Sequence, residues 1–479
     1  MSRSFTIAQW TCAFSLAMLA ALGRANTARA QALDPASTLT GKAGGLTAEQ
    51  VAKKATATSF VAEQKRQEVA AAAASLDRAV YDFIPRFSGT ASYFRLSAVD
   101  SEPLGNVVVA PGAAPGLLPA GQPLAAAPLQ FESLQNATTL SASLTVPLSD
   151  YAFRLFQTKA GAKAQLQGSQ ASLDATRRKT AYDARALYYD WVRAELEAAA
   201  AQQNLELSTE HLQRLQALAA ADSASPADVA RVEATFASSE RVLTQARNLA
   251  ALQRERVGIA MHDGERRDFT IGEDLRAAPA ERPDLDDIAT LSRLAEQKRP
   301  ELQAAMFSVV AYDKQADAAR SRMLPRLDGI AQGTLANPNQ RYFPQKDEFQ
   351  SSWQLGLQLS VSLSDTLSGA TQVDGARAQA AAAKAQRAQL LDAVKTEVAE
   401  AVLSHRTARA GLSSSARRLA AAETSYRARR ERFNVGQATT VELTEAQTEL
   451  FNARLEAVQA QVAIRVARAR IAYVTGRER

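Results

Sequence analysis

The chain has little of the chemistry on which enzymes and metalloproteins depend. Among 479 residues there are one cysteine and three histidines. Cys12 lies in the N-terminal apolar stretch, so a chain that begins after this stretch has no disulfide, thiolate nucleophile or cysteine metal site. His211, His262 and His405 lack a second histidine three or four residues away. We predict no metal site and assign each histidine a surface or packing role.

Catalytic and cofactor motifs are also missing. The sequence has no G-x-S-x-G, no phosphate-binding G-x-x-x-x-G-K-[ST] and no G-x-G-x-x-G after a strand. The adjacent acids Asp286 and Asp287 lie in a polar segment, which is typical of solvated charges. The sequence therefore predicts a protein that is not an enzyme, with no catalytic residues and no cofactor.

Long apolar runs are confined to the N-terminus. Arg3, the apolar residues 7–22 and an A-x-A pattern at Ala28 predict a secretory signal peptide over residues 1–30, with Gln31 first in the mature chain. A membrane helix needs an apolar run of about 18 residues or more, and no later run approaches this length, so no helical span is predicted. Removing the signal lowers the formal charge from +6 to about +3, and the interleaved acids and bases indicate solvated helix faces and no nucleic-acid partner.

Proline is absent from three long intervals. None occurs between Ser149 and Ser225, between Ala227 and Ala278, or after Pro344. These intervals are rich in Ala, Gln, Leu, Arg and Glu, which predicts long helices in an elongated structure, since a 70-residue helix rises about 105 Å. Their apolar face is mostly alanine, which favours close packing in coiled coils or a helical barrel. A soluble coiled-coil rod explains this feature equally well.

The sequence repeats itself with a nearly constant offset. "LSVSLSD" at 359–365 follows "LTVPLSD" at 144–150 with an offset of 215, and "ATTVELTEAQ" at 438–447 follows "ASPADVARVE" at 224–233 with an offset of 214. Each half is predicted to contain a helix, a strand pair and two long helices. The first strand pair has about 25 extra residues, predicted as a flexible Pro- and Ala-rich loop at about 102–130. The predicted segments are a signal peptide at 1–30, a first repeat at 31–262, a linker at 263–290 and a second repeat at 291–479.

Four segments alternate between apolar and polar residues, as strands with two unlike faces do. They are predicted at about 86–98, 134–148, 327–336 and 351–363. The last alternates from Trp353 to Leu363 and so reaches the length of about 9 to 11 residues with which a tilted strand crosses a bilayer. A half-buried strand in a soluble sheet shows the same pattern. If these strands span a membrane, the sheet must close, and four strands are too few, so several copies must combine.

Several motifs resemble the TolC-like outer-membrane efflux protein family. They are "LTAEQVAKKA" at 46–55, "LAEQKRPELQAA" at 294–305, the Pro-Arg strand starts at Pro85 and Pro325, and residues 432–476, in which Gly436 lies in the turn and Leu443, Ala446 and Gln447 in the next helix. The resemblance covers nearly the whole mature chain. Its specificity comes from the doubled architecture together with the signal, because each motif alone is weak.

The resemblance implies a mainly helical fold with a small β part. Long α-helical hairpins would form a helical barrel, and four membrane-spanning strands from each of three chains would close a 12-stranded barrel. It implies a homotrimeric exit duct in the outer membrane of a Gram-negative bacterium, joined through a periplasmic adaptor to an inner-membrane pump. The residues then expected to face lipid are Trp353, Leu355, Leu357, Leu359, Val361 and Leu363.

The resemblance also implies a contact site at the helix turns. The turn that meets the adaptor corresponds to Asn434, Val435, Gly436 and Thr439, with Ser225 and Pro226 at the matching turn of the first half.

Two carboxylates past this turn, Glu442 and Glu445, are expected to ring the pore entrance and to favour cations. Glutamates early in a helix also suit its positive end, and this alternative stays open. Ala438 stands where some relatives have a basic residue that holds the entrance shut, so that lock is not expected. A periplasmic coiled-coil adaptor or scaffold without a pore is the alternative function.

The aromatic residues Tyr188, Tyr189 and Trp191 cluster within a predicted long helix. We predict that they fill an interhelical space, with pore lining as the alternative.

Overall fold

The computed structural model describes residues 41–98, 105–111, 116–117, 120–129, 134–262, 264, 268–275 and 283–477, and of residues 363–367 it describes the backbone. The signal peptide predicted at residues 1–30 lies outside this part. None of the described helices combines the length and apolar character needed to cross a membrane.

One order of elements occurs twice along the chain: two shorter helices, a pair of long strands, and two long helices. The first occurrence comprises helices α1 (Ala48–Thr58) and α2 (Phe60–Tyr81), strands β1 (Arg86–Arg95) and β4 (Asn136–Val146), the short helix α3 (Leu148–Ala152), and the long helices α4 (Arg154–Ala220) and α5 (Pro226–Met261). The second comprises α6 (Ile288–Lys298), α7 (Pro300–Ser321), β5 (Arg326–Asn337), β6 (Gln350–Ser360), α8 (Leu363–Asn434) and α9 (Thr440–Val474).

The long helices confirm the prediction from the proline-free intervals. Helix α4 has 67 residues and α8 has 72, and each ends at a turn that leads into the next long helix. Helix α5 begins at Pro226, where a missing N–H costs nothing, and the Ser225 hydroxyl accepts the Ala227 N–H.

The described residues fall into two compact units, and each draws on both repeats. The first unit comprises the described residues within 41–52, 184–275 and 405–467, and so contains the turns between the long helices. The second comprises the described residues within 53–183, 283–404 and 468–477, and so contains the strands.

The core of the first unit includes the predicted aromatic cluster. Tyr188 and Trp191 are fully buried, and their rings meet edge to face at 5.8 Å. The Tyr188 hydroxyl donates to the Leu46 carbonyl at 2.9 Å, and the Tyr189 hydroxyl donates to a Glu273 carboxylate oxygen at 3.2 Å. Burial raises the pKa of both phenols well above the usual value. The packing role predicted for these residues is confirmed.

In the second unit the four long strands form one antiparallel sheet in the order β1-β4-β5-β6. Arg86 lies opposite Thr145, Val146 opposite Gly329, and Arg326 opposite Ser360. The sheet thus joins the strand pairs of both repeats through β4 and β5.

Strand β6 is shorter at its C-terminal end than the sequence predicts. It ends at Ser360, opposite the first residue of β5. Residues before Arg326 still bond back to helix α7, since the Leu324 N–H donates to the Ser321 carbonyl at 3.3 Å. No strand partner therefore lies opposite Val361, which is in a two-residue link, and Leu363 begins helix α8. Both were wrongly predicted to be strand residues.

The loop predicted at about 102–130 contains a second, smaller hairpin. Strand β2 (Asn106–Val109) pairs antiparallel with β3 (Ala125–Pro128). Three consecutive valines in β2 supply the β-branched side chains that favour a strand. These residues, predicted to be part of a long flexible loop, therefore form a strand pair.

The described part of the segment predicted as a linker packs within both units. Leu46 and Ile271 form a parallel bridge, and a Glu273 carboxylate oxygen accepts the Ala48 N–H at the start of α1. Leu285 belongs to the core of the second unit, and Asp287, predicted as a solvated charge, caps helix α6 by accepting from the Ala289 N–H at 3.0 Å. Hydrogen bonds from Thr290 lower the pKa of Asp287.

Candidate functional site

The turn between α8 and α9 has a defined backbone geometry. The Gln437 N–H donates to the Arg432 carbonyl at 2.8 Å, and the Gly436 N–H donates to the Phe433 carbonyl at 3.1 Å, which together end the helix in a Schellman motif. Gly436 has φ of +73°, a conformation that residues with a Cβ rarely adopt. Val435, just before it, is 68% exposed. The turn therefore presents an apolar side chain to solvent at a fixed position.

The turn between α4 and α5 has the same geometry in the first repeat. Asp222, which corresponds to Gly436, has φ of +52°. The Ser223 N–H donates to the Leu218 carbonyl at 2.8 Å, as Gln437 does to Arg432. Asp is among the few residues with a side chain that tolerate a left-handed backbone conformation. The two repeats therefore share this turn, although Asp222 stands where the second repeat has Gly436.

The predicted pore residue Glu442 takes part in a capping box with Thr439. A Glu442 carboxylate oxygen accepts the Thr439 N–H at 2.8 Å, and the Thr439 hydroxyl accepts the Glu442 N–H at 3.2 Å. The backbone hydrogen bond from Thr439 lowers the pKa of Glu442. Glu445 lies exposed one turn further along α9. The geometry therefore gives Glu442 a capping role at the positive end of α9, in line with the alternative left open, and Glu445 takes no part in this capping box.

The structure brings the two predicted turns together within the first unit. Leu215, Val232, Phe433 and Leu443 form one buried cluster with a side chain from each of the four long helices, and Ala224 and Ala438 from the turns pack against it. The Arg214 guanidinium also donates to the Asn434 carbonyl at 3.4 Å. Ser225, Pro226 and the residues around Gly436 therefore belong to one site.

The second candidate surface is the apolar face of the four-stranded sheet. Residues opposite one another share a face, and the registers place Trp353, Gly333, Ala142 and Gly89 in one row. The same face carries large side chains from all four strands that are exposed by between 39% and 76%: Phe87, Leu140, Leu144, Leu335, Trp353, Leu355, Leu357 and Leu359.

The other face of the sheet is polar. Ser88 and Ser143 share a hydrogen bond of 2.8 Å, Thr90 and Ser141 share one of 2.6 Å, and the Gln354 amide donates to Gln332 at 2.7 Å. A sheet with one polar and one exposed apolar face needs an apolar neighbour on one side only.

Among the described residues no group of three or more His, Cys, Asp or Glu side chains is placed to hold a metal ion.

A comparison with protein families finds a match to the second repeat of the chain. Residues 291–477 match the model of the family described as Outer membrane efflux protein. This part of the chain is an outer membrane efflux protein domain. It contains β5, β6, α8 and α9, and therefore the turn at Gly436 and the strand at Trp353. A search of curated proteins finds no match to the chain.

Solved structures extend the similarity beyond the efflux protein domain to most of the chain. The outer membrane protein VceC from Vibrio cholerae is 16% identical, with a TM-score of 0.73 over 90% of this chain and 96% of that one. The Campylobacter jejuni CmeC outer membrane channel is 14% identical, with a TM-score of 0.71 over 91% and 89%. The Neisseria gonorrhoeae MtrE outer membrane channel in its open state is 15% identical, with a TM-score of 0.68 over 90% and 88%. The chain has the fold of these channels.

The efflux protein domain also contributes to a buried polar network that the sequence did not reveal. The Gln447 amide donates to the Ser208 hydroxyl at 2.6 Å and to Asn204 Oδ1 at 3.2 Å, and the Ser208 and Ser239 hydroxyls lie 3.0 Å apart. Gln447, Ser208 and Ser239 are each nearly fully buried. Gln447 lies in a motif that resembles the efflux family, and the sequence spacing gives no sign of its contacts with Ser208 and Asn204. The network fixes the register of α9 against α4 and α5.

His211 lies in the same unit, beside the last turn of α8. It is 7% exposed, its ring meets that of Phe433 edge to face at 5.3 Å, and its Nε2 has no hydrogen-bond partner within the part of the chain that the structure describes. Burial lowers the pKa of His211 below its usual value of 6.5. The packing role predicted for this histidine is confirmed.

We expect acid to destabilise the fold through His211. Because the pKa is lower in the folded state, the unfolded chain binds the proton first, and stability falls as the pH drops from 6.5 through the folded pKa. Urea unfolding followed by circular dichroism at pH 7.5 and pH 5.0 measures the loss. His211→Leu should reduce the pH dependence. Equal pH dependence in wild type and His211→Leu would contradict this assignment.

Proposed function

We propose that the protein is the outer-membrane exit duct of a tripartite efflux or type I secretion system. The observation that carries the proposal is the four-stranded sheet with a continuous exposed apolar face and an uncharged centre on its polar face. Lipid would cover the apolar face, and water in the lumen would contact the polar face. The similarity in fold to outer membrane channels supports this placement.

The hydrogen-bond pattern of the sheet supports closure with further copies. The Leu96 N–H donates to the Gln135 carbonyl, and the bonded pairs alternate along an antiparallel ladder. Following the registers from β1 through β4 and β5, we find that the even-numbered residues of β6 form the backbone hydrogen bonds with β5. The odd-numbered residues from Ser351 to Leu359 therefore direct their backbone groups to the free edge. On β1 the odd-numbered residues from Phe87 to Arg95 face the other free edge.

Pairing these two edges between copies would continue both faces of the sheet. An odd-numbered residue of β6 would lie opposite an odd-numbered residue of a neighbour's β1, so that Leu355 or Leu357 would share a face with Phe87 or Ala91. Such a head-to-tail contact generates a ring. Three copies, the number implied by the family resemblance, would give 12 strands.

The helix turns are proposed as the contact for a periplasmic adaptor, through which the duct would meet an inner-membrane pump. Val435 is exposed on a turn whose backbone is fixed by three hydrogen bonds of its own segment. An exposed apolar side chain at a rigid position suits a protein contact. Asn434, Thr439, Ser225 and Pro226 would form the surroundings of this contact.

Single-channel conductance of the detergent-purified protein in a planar bilayer tests the duct and the entrance together. We expect small, cation-selective steps, and weaker selectivity in Glu442→Gln/Glu445→Gln, which removes charge but keeps an acceptor for the Thr439 N–H. Asp228→Asn changes the residue that corresponds to Glu442 in the first repeat and should have no effect.

Unchanged selectivity in the double variant would retain the duct and reject the acidic entrance. Folded protein that never inserts would reject the duct and favour a soluble periplasmic scaffold.

A further inference from the structure

The free edge of β6 is partly covered by the loop that leads into this strand. This segment, residues 338–349, is called the edge loop below. The Arg341 guanidinium donates to the Trp353 carbonyl at 2.9 Å, and the Tyr342 hydroxyl donates to the Ser351 carbonyl at 2.9 Å. Both acceptors are odd-numbered residues of β6. They belong to the set that faces away from β5, so the edge loop bonds to the backbone groups that a further strand would use.

The edge loop is held in this position by a buried side chain. Asn339, which is 3% exposed, donates through Nδ2 to the Gln350 carbonyl at 2.9 Å and to the Ser352 hydroxyl at 3.1 Å. Its Oδ1 accepts the Arg341 N–H at 3.0 Å. Asn339 therefore ties the loop to the even-numbered residues Gln350 and Ser352 of β6. Arg341 and Tyr342, which follow it, bond to odd-numbered residues of the same strand.

The two side chains that donate to the edge carbonyls differ in exposure from the buried Asn339. Arg341 and Tyr342 are exposed, Tyr342 by 44%, and their bonds are made to carbonyls at a strand edge. Exchanging a side-chain donor for a backbone N–H at the same carbonyl keeps the carbonyl hydrogen-bonded before and after the exchange.

An unpaired strand edge is a template for unwanted pairing, and natural sheets protect such edges.

We propose that Arg341 and Tyr342 form a removable cap on the free edge of β6. In a single copy the cap occupies the outward carbonyls of Ser351 and Trp353 and opposes pairing with other strands. During assembly, strand β1 of a second copy of this chain displaces the two side chains and pairs along the edge. This inference rests on the proposed function, because it takes the assembly to be a closed ring of copies.

The cap predicts that weakening it speeds assembly. The variant Arg341→Ala/Tyr342→Phe removes both donors and keeps the phenyl ring. We expect the urea-denatured full-length chain, diluted into detergent micelles, to form its oligomer about tenfold faster than wild type, because two hydrogen bonds no longer compete with the incoming strand. Size-exclusion chromatography of samples taken over time measures the rate, and the final yield and thermal stability of the oligomer should be unchanged.

Lys346→Ala is the matched control. It removes one positive charge from the same loop, and Lys346 contacts Glu348 rather than the edge of β6. We expect the assembly rate of wild type in this variant, and an intermediate rate in Tyr342→Phe alone.

An oligomer that forms at the wild-type rate in the double variant, or more slowly, would overturn the cap. A slower rate with lower stability would show that the two side chains support the finished assembly. In both cases the oligomer would still form, so the proposed duct would stand. If wild type forms no oligomer in micelles, the ring and the cap both fail.

Discussion

Leu357→Arg is expected to abolish insertion of the protein into the outer membrane. Leu357 lies in the middle of β6, is 72% exposed, and stands opposite Gly329 on the apolar face. A charged side chain on a lipid-facing position near the midplane costs about 2 to 4 kcal/mol in a barrel strand. Because the proposed ring contains three copies, this cost arises at three positions of one assembly. Fractionation of cells after carbonate and salt washes measures the fraction that remains with outer membranes.

Gln358→Arg is the matched control for this experiment. Gln358 is the next residue of β6 and lies on the polar face opposite Asp328. An arginine at this position would project toward water and beside a carboxylate, so we expect normal membrane insertion. Equal retention of both variants in outer membranes would mean that the apolar face does not meet lipid. Loss of both would point to a folding defect, which circular dichroism of the purified chains detects.

Regular patterns allowed most of the architecture to be predicted from the sequence. Long helices follow from proline-free intervals, and the strands follow from period-2 alternation that extends over about ten residues. The two corresponding turns follow from the repeat offset. The first is less evident from the sequence, because Asp222 takes the left-handed conformation that glycine usually indicates. Patterns of this kind depend only on neighbours in sequence.

The features that were missed depend on partners far along the chain. Glu273 caps helix α1 across 225 residues, and Gln447 bonds to Ser208 across 239. Glu442 is a different case, because Thr439 and Glu442 have the spacing of a capping box, which was visible in the sequence. The family resemblance implied a pore role for Glu442, and the capping hydrogen bond of its carboxylate lies within the same turn. The end of β6 was misplaced because it depends on where β5 begins.

The largest loss of stability is expected from Trp191→Ala in the first unit. Trp191 is 1% exposed, packs edge to face against Tyr188 and Phe269, and donates through Nε1 to the Glu195 carboxylate at 2.9 Å. Removing a buried tryptophan costs about 3 to 5 kcal/mol through lost burial and the cavity that remains. Glu195, 8% exposed, also loses a donor and keeps its ion pair with Arg254. Trp191→Phe should cost less, because the ring volume is largely retained.

Trp353→Ala provides the comparison, because it makes the same change at a residue that is 75% exposed. In detergent we expect this variant to unfold within about 0.5 kcal/mol of wild type, as surface substitutions generally do. Trp191 and Trp353 are the only tryptophans after residue 30, so the fluorescence of each variant reports the other site alone. Trp191 fluorescence follows urea unfolding of the first unit in the Trp353→Ala chain, and circular dichroism follows the unfolding of Trp191→Ala, which lacks this probe. A loss below about 1 kcal/mol for Trp191→Ala would mean that the aromatic cluster packs too loosely to hold α4 in place.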